Sequence, residues 1–447
     1  MSAALDALGD ADAKAVLGRV EAAARDVGAR LGQAVLQASL DAADTTPGGP
    51  VLCGQGHPAR LVERRAKEIR TMTGPVQITR PYYHCDQCGQ GLAPFDQRLG
   101  VEHTTMSPHL VKAASLAGMK MPFAKAEEFL DDILGSRLAS AKTIDRATKT
   151  TGRAARRAID AETAALNAGT LLPLRPAPSA DMCYLVIDGT GAPMLPRETQ
   201  GRQGKHPDQR ARTREVKLAC LFTTSVKDPA TGGPVQDPGS ASYIATFEPA
   251  AAFADQLRAE VRRRGFKHIR QGVVIGDGAH WIWNIANDHY PAHTQIVDYY
   301  HAAEHVHDLA KLLENHLDEP RADWTKARLD ELWQGHTHAI ARAVDILHLD
   351  QADPDLAVKA ATATGYFTGN HHRMQYARFE ALGMFIGSGF VESACNTIVA
   401  QRAKQAGMHW TINGLDPILA LRALRQSNRD HLIWQQDATQ TPQHNAA

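Results

Sequence analysis

The chain has no excess of charge of either sign: 49 Lys and Arg balance 49 Asp and Glu over 447 residues. That balance excludes a whole-protein electrostatic pull toward nucleic acid or an anionic membrane, so any such pull must come from local clusters. Cysteine is scarce, and six unevenly spaced residues do not describe the disulfide framework of a secreted scaffold. Long apolar runs are missing too; nothing approaches the roughly 18–20 consecutive apolar residues that span a bilayer. The opening Met1-Ser2-Ala3-Ala4-Leu5-Asp6 carries an acid where a signal peptide needs a basic and then an apolar stretch, so a cytoplasmic protein is expected. What remains is ordinary for a globular chain, 43% hydrophobic and 22% charged, with length enough for about three domains.

The texture changes along the chain. Residues 1–45 are Ala-rich with apolar residues at helical spacing, and Thr46-Pro47-Gly48-Gly49-Pro50 ends that pattern. From 51 to 100, short β-like runs (68–72, 76–80 and 81–84) surround Cys53, His57, Cys85 and Cys88. Residues 101–172 return to helix, with Gly135 between two amphipathic segments. Pro173–Pro178 reads as a linker. An α/β segment follows over 180–301, an almost wholly helical one over 302–383, and a last helical stretch over 384–430. The polar tail, 431–447, is expected to be disordered.

Three acids stand out. Cys183–Asp188 is an apolar run closing in an acid and then Gly189; Val273–Asp277 repeats the design and is followed by Gly278. Such runs predict buried strands whose terminal acids emerge at the carboxyl end of a sheet, where open α/β sheets build their sites. Glu392 follows Gly387-Ser388-Gly389 and opens the amphipathic stretch 391–406, which places it on a first helical turn. Two strand-end aspartates and a helix-borne glutamate can converge on two hard divalent cations, Mg2+ or Mn2+, the arrangement that catalyses phosphoryl transfer on nucleic acids. Any one of these acids taken alone reads more readily as a cap or turn residue; the combination is what points to metal.

The motifs around these acids resemble a known family. Val274-Ile-Gly-Asp-Gly-Ala-His-Trp-Ile-Trp-Asn284, Gln295-Ile-Val-Asp-Tyr-Tyr-His-Ala-Ala-Glu-His305, Asn370–Tyr376, Gly387–Ser393 and Arg402–Trp410 closely resemble the DDE transposases of ISKra-type insertion sequences, in order and spacing, from about 51 to 427. The resemblance implies a mixed α/β multidomain protein. Its RNase H-like core would be of the Mutator-like kind, formed by 180–301 and 384–430 and interrupted by an all-helical insertion over 302–383. Zinc-ribbon-like and helix-turn-helix modules would precede it. Asp188, Asp277 and Glu392 take the positions of first, second and third acid. Asp298-Tyr-Tyr-His301 fits a signature that follows the second acid in Mutator-like enzymes. Asp298, which also closes an apolar run, is a rival for second acid, and His301 either positions a DNA phosphate, orients Asp298, or belongs to a buried polar pair. The implied partners are terminal inverted repeats and target DNA, bound by a homodimer or larger assembly in a bacterial cytoplasm, at the nucleoid. A nuclease without strand transfer and a non-catalytic DNA-binding descendant are the alternatives.

A competing motif is His301-Ala-Ala-Glu-His305, which fits the H-x-x-E-H pattern of inverted zinc proteases, with Glu304 as base and Glu380 or Glu392 as a further ligand. It leaves both Asp-Gly strands, the cysteines and the basic segments unexplained.

Cys85-Asp-Gln-Cys88 has the form of a zinc knuckle, and Cys53 with His57 could complete a Cys3His site stapling a module with little core. Family relatives commonly carry a second cysteine near 55 or 56, where this chain reads Cys53-Gly-Gln-Gly-His57. His57 therefore either replaces that ligand or leaves a metal-free hairpin. Cys183, Cys220 and Cys395 sit in apolar runs and read as buried small hydrophobes.

Basic clusters supply what the net charge withholds. Seven Lys or Arg against one acid lie between 137 and 157, and Ser140-Ala-Lys-Thr-Ile-Asp-Arg146 opens a helix after a Gly135 turn. In helix-turn-helix syntax, Lys142, Thr143 and Arg146 would face DNA; a solvated helix face is the alternative. A second cluster spans 197–217. Near the third acid, Arg402 and Lys404 would contact phosphates, and Trp410 would offer a stacking surface.

Overall fold

The computed structural model describes residues 13–135, 137–173, 179–204, 208–230 and 232–434. The expected linker, from residue 174 on, and the tail, from 435 on, lie outside the described residues, as do the first 12 residues and Lys205 of the second basic cluster. The chain divides into two compact units, 1–148 and 149–447, and the division falls inside a long helix.

The first unit opens with helix α1 (Ala13–Asp41). A hairpin of β1 (Arg60–Thr71) and β2 (Gly74–His84) follows, extended by the two-residue β3 (Gly91–Leu92). The hairpin is longer than the three short runs expected, because Arg60–Arg65 also pairs with Arg80–His84, across a register shift between Leu61 and Glu63. Alternation sends Ile69, Val76 and Ile78 to one face, where they meet Phe95, Val101 and, from α1, Leu36 and Leu40. On the same side Asp96 is buried between Arg80 (2.8 Å) and Lys67 (3.0 Å). Burial pushes its carboxyl pKa up, but the two cations outweigh that and hold it below the usual value.

Three helices complete this part: α2 (Pro108–Lys120), α3 (Phe123–Leu134) and α4 (Ala141–Asn167). Ser107 caps α2 by accepting from Leu110 N, and Gly135 ends α3 at φ 68°, a left-handed position that suits glycine. Leu110, Ala114, Ala126, Leu130 and Ile144 form their common core.

The second unit is built on a five-stranded sheet. Its strands are β4 (Met182–Pro193), β5 (Thr213–Thr224), β8 (Ser242–Thr246), β9 (Gln271–Gly276) and β10 (Thr294–Val297), in the order β10-β9-β4-β5-β8. A small side pair, β6 (Val226–Lys227) and β7 (Pro234–Val235), stands apart. The pairs β4/β5 and β5/β8 are antiparallel; β4/β9 and β9/β10 are parallel. Parallel strands need crossovers, supplied by α5 (Ala250–Arg263) before β9 and α6 (His280–His289) before β10. Residues 183–187 and 273–276 are all buried, as near-continuous apolar runs require of central strands.

After β10 the chain is helical: α7 (Tyr299–Leu313), α8 (Arg321–Trp333), α9 (Thr337–Asp345), α10 (Pro354–Gly369) and α11 (Tyr376–Ala381). It then returns to the sheet through α12 (Gly389–Ala394), and α13 (Ile412–Gln426) closes the unit against β8. The expected single helix over 391–406 is instead broken up: a π-helical turn, Cys395–Ala400, separates α12 from a short turn at Gln401–Ala403. Wider π turns inside helices frequently accompany functional residues.

Candidate functional site

Asp188 and Asp277 come together through strand register. Val186 pairs with Ile275 in the parallel β4/β9 ladder, and the same offset carried two residues on sets Asp188 beside Asp277. Asp277 accepts a hydrogen bond from Ala279 N (2.9 Å), and Asp188 Oδ1 faces Gly189 N (2.6 Å). Gly278, at φ 103°, has no room for a side chain, since a Cβ there would come within 2.6 Å of the Tyr366 ring. Tyr366 donates to the backbone carbonyl of Asp277 (3.0 Å) and fixes the turn after the acid.

Glu392 arrives from the other end of the chain, carried by aromatic packing. Phe385 and Phe390 sit against the stacked pair Tyr184–Phe222 on β4 and β5, with Phe390 4.6 Å from Phe222. This anchors the segment that leads into α12. Ser388 Oγ donates to Glu392 Oε1 (3.2 Å), and Glu392 itself is exposed.

Asp298 is the residue that ties these pieces together. It is 1% exposed, and both its oxygens are engaged: Oδ1 accepts from His301 N (2.7 Å) and so caps α7, while Oδ2 accepts from Ser388 N. Its own N–H bonds to Gly276 O (2.8 Å) at the end of β9. Gly387 is required alongside it, because a Cβ there would lie 2.8 Å from the Tyr300 ring.

Burial is the main cause of a raised pKa at Asp188. The Cys395 thiol and Gly189 N–H pull the other way, the charge of Asp277 raises it further, and His301 lowers it. Cys395 Sγ lies 3.2 Å from Asp188 Oδ2, so this thiol is not simply a buried hydrophobe. Burial, and then Asp188, push its own pKa up; Glu392 acts in the same direction and Lys404 against it. Asp188, Asp277, Glu392, Cys395, His301 and Lys404 thus share one electrostatic neighbourhood. Cys183 and Cys220, by contrast, are buried with thiols pushed up to about 12, as the apolar-run reading expects.

The remaining predicted residues separate into groups. Lys404 is exposed and donates to Thr190 Oγ1 (2.7 Å) on β4, beside the acids. Arg402 is 0% exposed with its guanidinium 4.9 Å from the centre of the Trp410 ring, so its charge faces the interior and not a DNA backbone; that expectation is revised. Trp410 is likewise a packing element. Its indole donates to Ala403 O (3.1 Å), and its backbone bonds to Pro193 and Leu195. In the first unit Lys142 and Arg146 are exposed on α4, and Thr143 is half-buried beside Ser140.

Among the described residues, one group of Cys, His, Asp or Glu stands in a metal-holding arrangement. Ligand atoms of Cys53, His57, Cys85 and Cys88 all lie within 4.8 Å of one another. Two tight turns build it, closed by Gly56 N to Cys53 O (2.9 Å) and Gly89 N to Cys85 O (2.9 Å), with both glycines at positive φ. His57 Nδ1 is buried without a hydrogen-bond partner, an orphan that a metal would satisfy. Burial opposes ionisation of Cys53, yet the backbone N–H groups of Gln55 and His57 and the neighbouring thiols bring its pKa down to about 7. Four soft or borderline donors in this cluster could hold a structural metal such as zinc. Among the described residues, neither His301, Glu304 and His305 (the two rings 5.2 Å apart) nor Asp188, Asp277 and Glu392 have their ligand atoms drawn together in a second group of this kind.

No protein-family profile and no curated protein matches the chain. Among solved structures, it is similar to the Drosophila P element transposase strand transfer complex, with a TM-score of 0.34 and 11% identity over 75% of this chain and 96% of that one. That similarity is too low to assign a fold or a function. No helix among the described residues is long and apolar enough to cross a membrane.

Proposed function

We propose that the chain is a DDE transposase that cuts and joins the DNA ends of its own mobile element, with Asp188, Asp277 and Glu392 as the acids of an RNase H-like core. The observation that carries this reading is the placement of Asp188 beside Asp277, with Glu392 in the same electrostatic neighbourhood from a remote segment. Asp188 lies within β4 and not at its expected end, because the antiparallel pairing with β5 continues to Pro193; Asp277 sits just past the end of the parallel β9. The strand order β10-β9-β4-β5-β8, antiparallel on one side of β4 and parallel on the other, supports that core assignment.

The donor set is hard oxygen and fits Mg2+ or Mn2+. A divalent pair held by the three acids supplies an activated attacking oxygen and neutralises the leaving one. The protein's own residues do the rest. Asp298 holds the Ser388 backbone and the start of α7, so it is a positioning residue and Asp277 is the second acid. Lys404 is placed to meet a DNA phosphate beside Thr190. His301, next to Asp188 in charge terms, favours the ionised carboxylate. We assign Lys142, Thr143 and Arg146 to recognition of the terminal repeats, and zinc to the Cys3His cluster. Joining two ends calls for a dimer or larger assembly on DNA.

The test uses purified full-length protein with Mg2+ or Mn2+ and a plasmid carrying the DNA that flanks its own gene. Strand cleavage followed by joining of the freed 3′-hydroxyl to target DNA is expected. Asp188→Asn, Asp277→Asn and Glu392→Gln should each lower cleavage at least about a hundredfold. Cleavage without joining would leave a nuclease, and cleavage indifferent to all three substitutions would overturn the assignment.

A further inference from the structure

We infer that the groove between α6 and α10, next to Asp277, is a binding site for an unpaired nucleobase. The inference rests on the reading above for its biological setting but not for its chemistry. The groove has a volume of about 480 Å³, within the range of small-molecule sites. It runs along facing edges of the two helices and reaches Gly278, the residue after the second acid.

Its lining is selective. Trp283 is 4% exposed, and its indole N–H has no acceptor within the protein. That nitrogen is closed off from the groove, so Trp283 supplies its wall and the polar recognition falls to the exposed amides beside it. Asn284 and Asn287 are exposed on the same helix edge; the Asn284 amide offers donors and an acceptor, whereas Asn287 Oδ1 already accepts from Gln295 Nε2 (2.8 Å) and its NH2 group is what it offers. Across the groove, Gly365 lies inside α10, where a Cβ would meet nothing within 4 Å. A glycine inside a helix is unfavourable, and here no close packing requires it. Its effect is to keep the groove open.

The same lining argues against other ligands. No carboxylate lines the groove, so a metal cation has no anchor. Arg373 is turned inward, with Nε on Gln295 Oε1 (2.8 Å), Nη1 on Asn370 Oδ1 (3.0 Å) and its guanidinium 4.5 Å from the Trp283 ring centre. A phosphate would therefore find little free charge. A planar group carrying both donors and acceptors on its edge fits, which is the chemistry of a base drawn out of the stack. Such a base could come from a DNA strand or from a free nucleoside.

Photo-crosslinking in EDTA, where no metal-dependent cleavage occurs, tests this. The wild-type chain is irradiated with a single-stranded oligonucleotide carrying one 5-iodouracil, or with 5-iodouridine alone, and the adduct is mapped by mass spectrometry. An adduct within 280–287 or 362–373 is expected. Gly365→Phe, which fills the groove, should reduce its yield at least tenfold, and Asn284→Asp, an exposed change that cannot unfold the helix, should reduce it severalfold. A strong adduct with the oligonucleotide only assigns the site to a strand base; an equal adduct with the nucleoside assigns it to a free ligand. Adducts elsewhere, or a yield unchanged in both variants, would refute the inference. Because cleavage is measured separately, a protein that cuts DNA but gives no adduct refutes only the groove, and one that gives the adduct but never cuts refutes only the transposase reading.

Discussion

At the Cys53–His57–Cys85–Cys88 cluster, four donors lie within 4.8 Å on two glycine-closed turns of one module. Around Asp188 the chain does the opposite, gathering like charges from three distant segments: Asp277 raises the Asp188 pKa, and Glu392 stays exposed. The first has soft and borderline donors, enclosed and ready to be stapled by one ion. The second has hard donors, left accessible. A closed site contributes folding energy on metal binding, whereas an open one holds repulsion that only its ligand relieves.

The largest effect should come from breaking the closed site. Zinc analysis should return one equivalent per chain. Cys85→Ser, or chelation, should open the 51–92 hairpin to protease, with a loss on the order of 10 kcal/mol of metal-linked folding energy. Retained metal and unchanged proteolysis in Cys85→Ser would mean that the cluster is not a ligand set.

A smaller loss is expected at Asp298, which shares the acid neighbourhood but acts like the closed site. Removing a buried carboxylate that serves two backbone N–H groups, as in Asp298→Ala, should lower stability by about 3 kcal/mol by chemical denaturation. Asp298→Asn, which retains one acceptor, should recover part of it. Equal stability of wild type and Asp298→Ala would show that the Ser388 segment is held by other contacts.

The smallest effect has the opposite sign. The folded-state pKa of Asp188 lies above its unfolded value, so its contribution to stability is fully present below about pH 3.8 and is lost as pH rises through the raised value. In metal-free protein at pH 7, Asp188→Asn should therefore melt higher than wild type, by roughly 2 °C, and the gap should close toward pH 4. Added Mn2+ should stabilise wild type but not the variant. A lower melting point for Asp188→Asn at pH 7 would show that burial of Asp188, with the charge of Asp277 added, does not destabilise the ionised site.

Much of this was legible from local pattern. The apolar runs at 183–187 and 273–276 announced buried strands, although only the second closes at its acid while β4 continues to Pro193, and Cys85-Asp-Gln-Cys88 with Cys53 and His57 announced a cluster. Arg402 and Cys395 were misjudged for one reason. Charge, aromaticity and apolar context give a residue's chemistry but not the direction its side chain points. The π turn after α12 alters which residues of 391–406 face the sheet, and no periodicity rule anticipates it. The Tyr366 bond to Asp277 and the Ser388 link to Asp298 span 89 and 90 residues and left no trace in the sequence.

By itself, then, the sequence determined that 183–187 and 273–276 become buried strands, that Glu392 falls on a first helical turn, and which cysteines share a module, since these follow from short-range periodicity and spacing; it did not show that β4 runs on past Asp188. Tertiary structure alone decided that Asp298 is buried and consumed by the N–H groups of His301 and Ser388, while Asp277, which accepts from Ala279 N, lies beside Asp188. It also turned Arg402 inward and kept Lys404 at the surface. Those outcomes depend on the register of parallel strands joined through intervening helices, and on aromatic packing between residues as far as 201 positions apart, such as Tyr184 and Phe385.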